Sequence, residues 1–228
     1  MPTLTHLELE IGVDDVLRGQ GADPMIVRKR SPHLITVAER AIQEGLLLIQ
    51  PSVCYREYRL QDVWHERLIF VSGEHLSGKL VARHLAAAQR IAIILCTIGD
   101  RLEKRSAEVW ASDMVYSMAL DGVGTAAVEA LSAAACQYLS QQAESQGLQA
   151  SIPISPGMID WSVGEGQEQI FRLLEGEQAG VILTESFLMI PRKSATMVVG
   201  IGPNFITDGR ACDFCNMRNK CRYQDQYA

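Results

Sequence analysis

Ser155-Pro156-Gly157-Met158-Ile159-Asp160-Trp161, then a helical run to Leu174, then Leu183-Thr184-Glu185-Ser186-Phe187-Leu188-Met189-Ile190-Pro191, is the most specific wording in this chain. Proline fixes φ and glycine accepts positive φ, so Pro156-Gly157 demands a tight turn, with Gly157 at the third position of a type II turn. Without a side chain, Gly157 also lets a ligand approach the backbone. Met158, next to it, is expected to tolerate truncation. The second segment alternates apolar and polar residues up to a proline stop, which predicts a half-buried strand.

Outward from this stretch, the 228 residues are 47% apolar and 21% charged, the balance of an ordinary globular protein with ample length for a core. The formal charge of −6 argues against a nucleic-acid partner, because phosphate neutralisation needs clustered Lys and Arg. Arg28-Lys29-Arg30 is the only basic run and reads as a solvated turn beside Pro32. Continuous apolar stretches such as Ile91 to Cys96 are too short to span a bilayer, so no membrane is expected. The N-terminus, Met1-Pro2-Thr3-Leu4 followed by acidic residues, does not read as a secretory signal, which predicts a cytoplasmic protein.

Leu7 to Ile11 alternates like a strand, and Asp14 to Leu17 starts a helical turn that Gly19, Gly21 and Pro24 break. Ser31 as N-cap with Pro32 at the first helical position predicts a helix to Leu48. Val53 to Leu60 and Glu66 to Val71 read as a hairpin. Gly73 to Lys79 has phosphate-loop spacing, but Leu80 stands where a magnesium-binding Ser or Thr belongs, which favours a plain helix start. Arg90 to Thr97 reads as a strand buried on both faces. A charged helix from Asp100 to Trp110 follows, then a long one capped by Ser112 or Asp113 and closed at Gly147. Gly122, Gly124, Ala126 and Ala127 crowd its centre, either for close packing or to turn Asp121 or Glu129 toward a site. The order of elements, without regular βαβ spacing, predicts one α+β domain over 1–228, with several helices flanking a twisted, mainly antiparallel sheet.

Cys54, Cys96 and Cys136 fall within apolar or helical patterns, where a reduced thiol acts as a small hydrophobe. Cys212, Cys215 and Cys221 instead crowd a C-terminal tail, 203–228, in the pattern C-x2-C-x5-C. Two thiolates two residues apart turn onto one metal, and a third nearby makes a three-ligand set for zinc or an iron–sulfur cluster. Cys54, Cys96, His65, His75, water or a partner protein are candidates for a fourth ligand.

Both segments of the opening stretch resemble the reactivation domain of cobalamin-dependent methionine synthase. That family has a Pro-Gly turn, matched by Pro156-Gly157, and a Thr-Glu-Ser-Phe-x-Met-x-Pro segment, matched by Thr184 to Pro191. Stand-alone anaerobic members look similar at Ser155 to Trp161, at Leu120 to Ala130 and in the cysteine tail. The resemblance implies an activation domain-like fold and binding of S-adenosylmethionine by Ser155, Pro156 and Gly157, with Glu185 beside them. It implies a partner that presents cobalamin, a corrinoid protein or cobalamin-dependent methyltransferase. It also implies a low-potential electron donor, which favours iron–sulfur over zinc. Reductive reactivation is the expected role, accessory to the partner's activity. The family's Arg falls at Pro153 and its two Tyr at Met158 and Val199, so the ligand is less secure than the fold. The alternative is a non-catalytic corrinoid- or metal-binding adaptor that has lost S-adenosylmethionine.

Overall fold

A computed structural model describes residues 3–4, 7, 9–175, 180–205 and 211–215. Its centre is β5 (Arg90–Thr97), the continuous apolar run, in which every residue from Ile91 to Thr97 is buried. Such a strand needs a neighbour on each edge and a layer on each face. β2 (Ser52–Trp64) pairs with one edge and β9 (Ser194–Gly202) with the other, both antiparallel over eight residues. β3 (Arg67–Phe70) and β4 (His75–Ser77) extend the sheet beyond β2, and β6 (Gln149–Ala150) lies outside β9. β1 (Thr3–Leu4) pairs with the start of β2. Every pairing in this seven-stranded sheet is antiparallel, and the fold is α+β.

Strand alternation sorts the core into two halves. Ala92, Ile94 and Cys96 of β5 join Met197, Val199 and Ile201 of β9 under α6 (Met114–Glu144), the longest helix. α1 (Val13–Gly19), α3 (His33–Leu48) and α5 (Arg101–Val109) pack around α6 on this face. Ile91, Ile93, Leu95 and Val198 face the other way, beneath α4 (Lys79–Leu85) and α7 (Val163–Leu174). By length and composition α6 could cross a membrane, which counting continuous apolar runs does not reveal. Here it is the spine of a core, with residues such as Leu120, Val123 and Leu131 buried.

The expected elements from β2 to α6 are found, but the N-terminal part differs. Leu7, Leu9 and Ile11 pack against the α6-side core without forming a strand. Pro24 opens a helix rather than ending one. In α2 (Pro24–Arg30), Asp23 accepts the amides of Met25 and Ile26, and Arg28-Lys29-Arg30 forms the last turn, where cations suit the helix dipole. Ser31 is the C-cap of α2, so α3 begins at His33 after Pro32. Asp113 does cap α6, through the Tyr116 amide, and Gly147 closes it at φ +71°.

The glycines of α6 serve packing. A Cβ on Gly122 would lie 2.7 Å from the Val16 carbonyl oxygen, and one on Gly19 2.6 Å from that of Gly122, so α1 and α6 cross backbone to backbone. Gly124 instead supports the stem of Lys193, whose ammonium meets Asp121 and Thr125, each at 2.9 Å. These two glycines should therefore respond differently to alanine. By helix propensity either change gains about 1 kcal/mol. For Gly122→Ala, overpacking against fixed backbone should outweigh that gain and leave a loss of about 1–3 kcal/mol. Gly124→Ala meets only flexible methylenes and should stay within about 1 kcal/mol of the parent. Urea unfolding measures both, and equal effects would refute the crossing argument.

Candidate functional site

Ser155 to Trp161 folds as two linked turns. The Met158 amide donates to the Ser155 carbonyl at 3.2 Å across Pro156-Gly157, and Gly157 has φ +96°. Proline at the second position and positive φ at the third define type II. The Trp161 amide then donates to the Met158 carbonyl at 3.1 Å, with Asp160 at φ +57°, and the Gly157 amide donates to the Trp161 carbonyl at 2.8 Å. Ser162 follows as N-cap of α7, accepting the Glu165 amide.

Trp161 anchors this knot. It is 1% exposed, and its ring lies where a Cβ on Gly78 would come within 2.7 Å. A Cβ on Gly166 would meet Pro156 at 2.8 Å and the indole at 3.0 Å. The glycine at position 78 is thus explained by an indole and not by a phosphate. His75 to Ser77, within the phosphate-loop spacing, is strand β4, and Gly73 sits at the turn before it. A cavity of about 480 Å³ opens beside the knot, lined by Gly157, Met158, Trp161, Val163 and Glu165 among others.

Thr184 to Pro191 is not one strand. It is a hairpin of β7 (Ile182–Leu183) and β8 (Met189–Ile190), with Ile182 opposite Ile190. The Thr184 hydroxyl accepts the Leu188 amide at 3.0 Å, and Phe187 turns the chain at φ +61°. Alternation persists in each arm, but Thr and Ser side chains that bond nearby backbone favour a turn between them. Glu185 is therefore exposed at a hairpin tip. The hairpin meets the knot indirectly. Phe187 covers Gly164 of α7, close enough that a Cβ there would be 3.0 Å away, and Val163 covers Gly157.

The turn that carries Cys212 and Cys215 also reaches the knot, through Phe214 and Cys215, which the sequence did not reveal. Ala211–Phe214 is a 3-10 turn, and the Cys215 amide donates to the Cys212 carbonyl at 3.2 Å. The Ile159 amide donates to the Phe214 carbonyl at 2.9 Å, and Met158 and Cys215 form a β-bridge. Phe214 packs edge-on against His84 of α4, with ring centres 4.1 Å apart. Burial holds the His84 pKa below its ordinary value. Cys221 lies outside the described residues, among which no group of three possible metal ligands is assembled.

Of the proposed fourth ligands, Cys96 is enclosed on the α6 face while Phe214 packs on the opposite face. Burial pushes the Cys96 thiol up to about 12 and the Cys136 thiol to about 11, which keeps them protonated. Cys54 is buried and 3.7 Å from the Thr3 hydroxyl. His65 and Trp64 line a groove of about 750 Å³ that shares Asp160 and Glu165 with the cavity beside the knot, and His75 lies in β4. Of the two acids weighed on α6, Asp121 is engaged by Lys193. Glu129 is exposed on α6.

Three comparisons bear on this geometry. No protein-family model matches the chain. No curated protein matches it. Among solved structures it is similar to the crystal structure of the MetH reactivation domain bound to AdoHcy, with a TM-score of 0.57 and 14% identity, over 90% of this chain and 82% of that one. At that identity the likeness shows the fold, which is the fold expected from the Ser155 and Thr184 segments.

Gly157→Ala should lower stability by roughly 1 kcal/mol or more, because an L-residue is strained at φ +96° and the new Cβ would lie 3.1 Å from Val163. Met158→Ala should also destabilise, contrary to the sequence expectation. Met158 packs on the α7-side core, and its sulfur accepts the Ser155 amide at 3.5 Å. A half-buried methionine truncated to alanine loses about 1–2 kcal/mol, less than the full-burial range. Thermal melts decide, at about 2–4 °C per kcal/mol for a chain of this size. A Gly157→Ala melt matching the parent would refute the turn argument.

Proposed function

We propose that this protein is a stand-alone reductive reactivation factor for a cobalamin-dependent methyltransferase such as methionine synthase. The observation that supports this reading most is the Ser155–Gly157 type II turn, built and braced on a fold similar to the MetH reactivation domain. Residues 1–228 act as one domain whose tail, 203–228, carries a metal. The partner presents the cobalamin, a low-potential donor supplies one electron to the inactive Co(II) state, and S-adenosylmethionine supplies the methyl group. This chain's part is binding and orientation. Backbone at Ser155, Pro156 and Gly157 contacts the ligand, and Glu185 reaches it from the hairpin tip. Cytoplasmic residence follows from that partnership.

Cys212 and Cys215 fit a thiolate-bound metal: their backbone is closed into a C-x2-C turn and both side chains keep partial exposure. Cys221 completes a three-thiolate set. An iron–sulfur cluster held by these thiolates would supply electron transfer, whereas zinc would be structural.

One observation favours the adaptor reading. Val199, at the position of a family Tyr, is 1% exposed within the α6-side core and pairs with Ala92, and Pro153 offers no guanidinium. A carboxylate left without its bidentate partner loses on the order of 2–5 kcal/mol, roughly thirty-fold or more in affinity.

Anaerobic mixing with Co(II)-arrested methionine synthase and a low-potential donor should speed loss of the Co(II) visible band when S-adenosylmethionine is present. No acceleration would reject reactivation. Calorimetry separates the adaptor: S-adenosylmethionine should bind weakly to the parent and at least about ten-fold tighter to Pro153→Arg. Undetectable binding to both proteins would favour the adaptor. Anaerobically purified protein should carry iron or zinc near stoichiometry, and Cys215→Ser should lose most of it.

A further inference from the structure

The groove at Trp64 and His65 shares Asp160 and Glu165 with the cavity at Gly157, so one elongated ligand can lie across both. We propose that this groove takes the adenosyl end of S-adenosylmethionine, with Trp64 as the platform for the base and Asp160 as the acceptor for the ribose hydroxyls. The inference rests on the S-adenosylmethionine reading above and names residues for the end of that ligand which Ser155–Gly157 do not reach.

The platform comes from the way the β2–β3 hairpin ends. A register shift between Leu60 and Asp62 pairs Val63 with Leu68, and both pack in the α7-side core. The next pair, Trp64 opposite Arg67, stays exposed, and both residues line the groove. Cross-strand partners share a face of the sheet, so an indole stands beside a guanidinium. Nucleic-acid bases stack on both kinds of flat surface. Trp64 is 58% exposed, and its ring meets His65 with centres 4.8 Å apart. The walls are tied together by bonds of the protein itself. The Gly78 amide donates to the Glu66 carbonyl at 2.9 Å, and Gln169 of α7 bonds both the amide and the carbonyl of Ser77. Binding to walls fixed in this way costs little further ordering.

The opposite wall supplies the acceptor. Asp160 lies in the knot at φ +57°, and its carboxylate meets the Lys79 ammonium at 3.8 Å, with more than half of each side chain exposed. So open an ion pair is weak. The carboxylate therefore stays available to hydroxyl donors, the part an acidic side chain plays toward ribose in dinucleotide sites. Because Asp160 borders both the groove and the cavity, a ribose held there has the base on the Trp64 side and the sulfur on the Gly157 side. That is the order of the parts in S-adenosylmethionine. Recognition from the nucleoside end also suits a chain with Pro153 where a carboxylate clamp would stand, since affinity then depends on base and sugar.

Calorimetry and tryptophan fluorescence on the full chain test this, with S-adenosylmethionine and with 5′-methylthioadenosine, which keeps base, sugar and methylated sulfur but has no amino-acid group. Trp64 is the most exposed of the three tryptophans, so stacking on it should quench emission. Trp64→Ala should weaken 5′-methylthioadenosine roughly five- to hundred-fold and abolish the quenching, and Trp64→Phe should restore most of the affinity. Asp160→Asn should weaken it roughly ten-fold. These side chains are exposed, so the variants should melt as the parent does. S-adenosylmethionine bound equally by the parent and Trp64→Ala would overturn the groove and leave the reading of that ligand standing. 5′-Methylthioadenosine bound at Trp64, with no binding of S-adenosylmethionine, would keep the groove as a nucleoside site and reject that reading. If neither compound binds, the reading and the groove fall together.

Discussion

The burial of one indole sets the geometry of the whole site. Trp161 sits between Gly78, ahead of α4, and Gly166, in the first turns of α7, where neither position has room for a Cβ. Close packing at protein density leaves few alternative arrangements, so the two helices and the turn between Ser155 and Trp161 are placed together. The indole N–H finds no hydrogen-bond partner among the described residues. Leaving a buried donor unmet costs about 1–3 kcal/mol, which the apolar burial of so large a ring must exceed. The remaining bonds of the knot are local and follow from that placement.

Behind the knot, two polar contacts tie the site to the sheet. Thr196 of β9 donates to Gln167 of α7 at 3.0 Å, with both side chains buried, so α7 has a fixed position over the strand. Lys193, just before β9, lies along α6 over Gly124 and ends between Asp121 and Thr125. β9 is thus held from both faces, by α7 on one and α6 on the other. The strand that positions α7 is thus the same strand that α6 packs against.

Much of this was legible because it is local. The continuous apolar run 90–97 predicted a strand covered on both faces, and Pro156-Gly157 predicted a type II turn that the chain adopts. Gly147 and Asp113 marked the ends of α6 correctly. The missed helix α2 was also legible in principle. Asp23-Pro24 is the same N-cap and first-position pair that was credited at Ser31-Pro32, and the preceding glycines drew the proline into a breaker reading. The Thr184 hairpin failed for a different reason. Period-two alternation continues through a hairpin whose loop has an odd number of residues, so alternation alone cannot separate one long strand from two short ones.

The site was less legible because its decisive contacts are non-local. Gly73 to Lys79 reads as a phosphate loop until one knows that an indole 83 positions later occupies the space above Gly78. Spacing motifs record which side chains are small, not what fills the space they leave. The C-terminal cysteines pose the same problem more sharply. Their spacing names a ligand chemistry, yet nothing in it places Phe214 on His84 or its carbonyl on Ile159. Those are backbone and ring contacts between segments more than fifty residues apart, and any residue has a carbonyl to offer. His84 itself carried no motif. A reading by residue type looks at the thiols, whereas what couples Cys212 and Cys215 to the rest of the molecule is the peptide group between them.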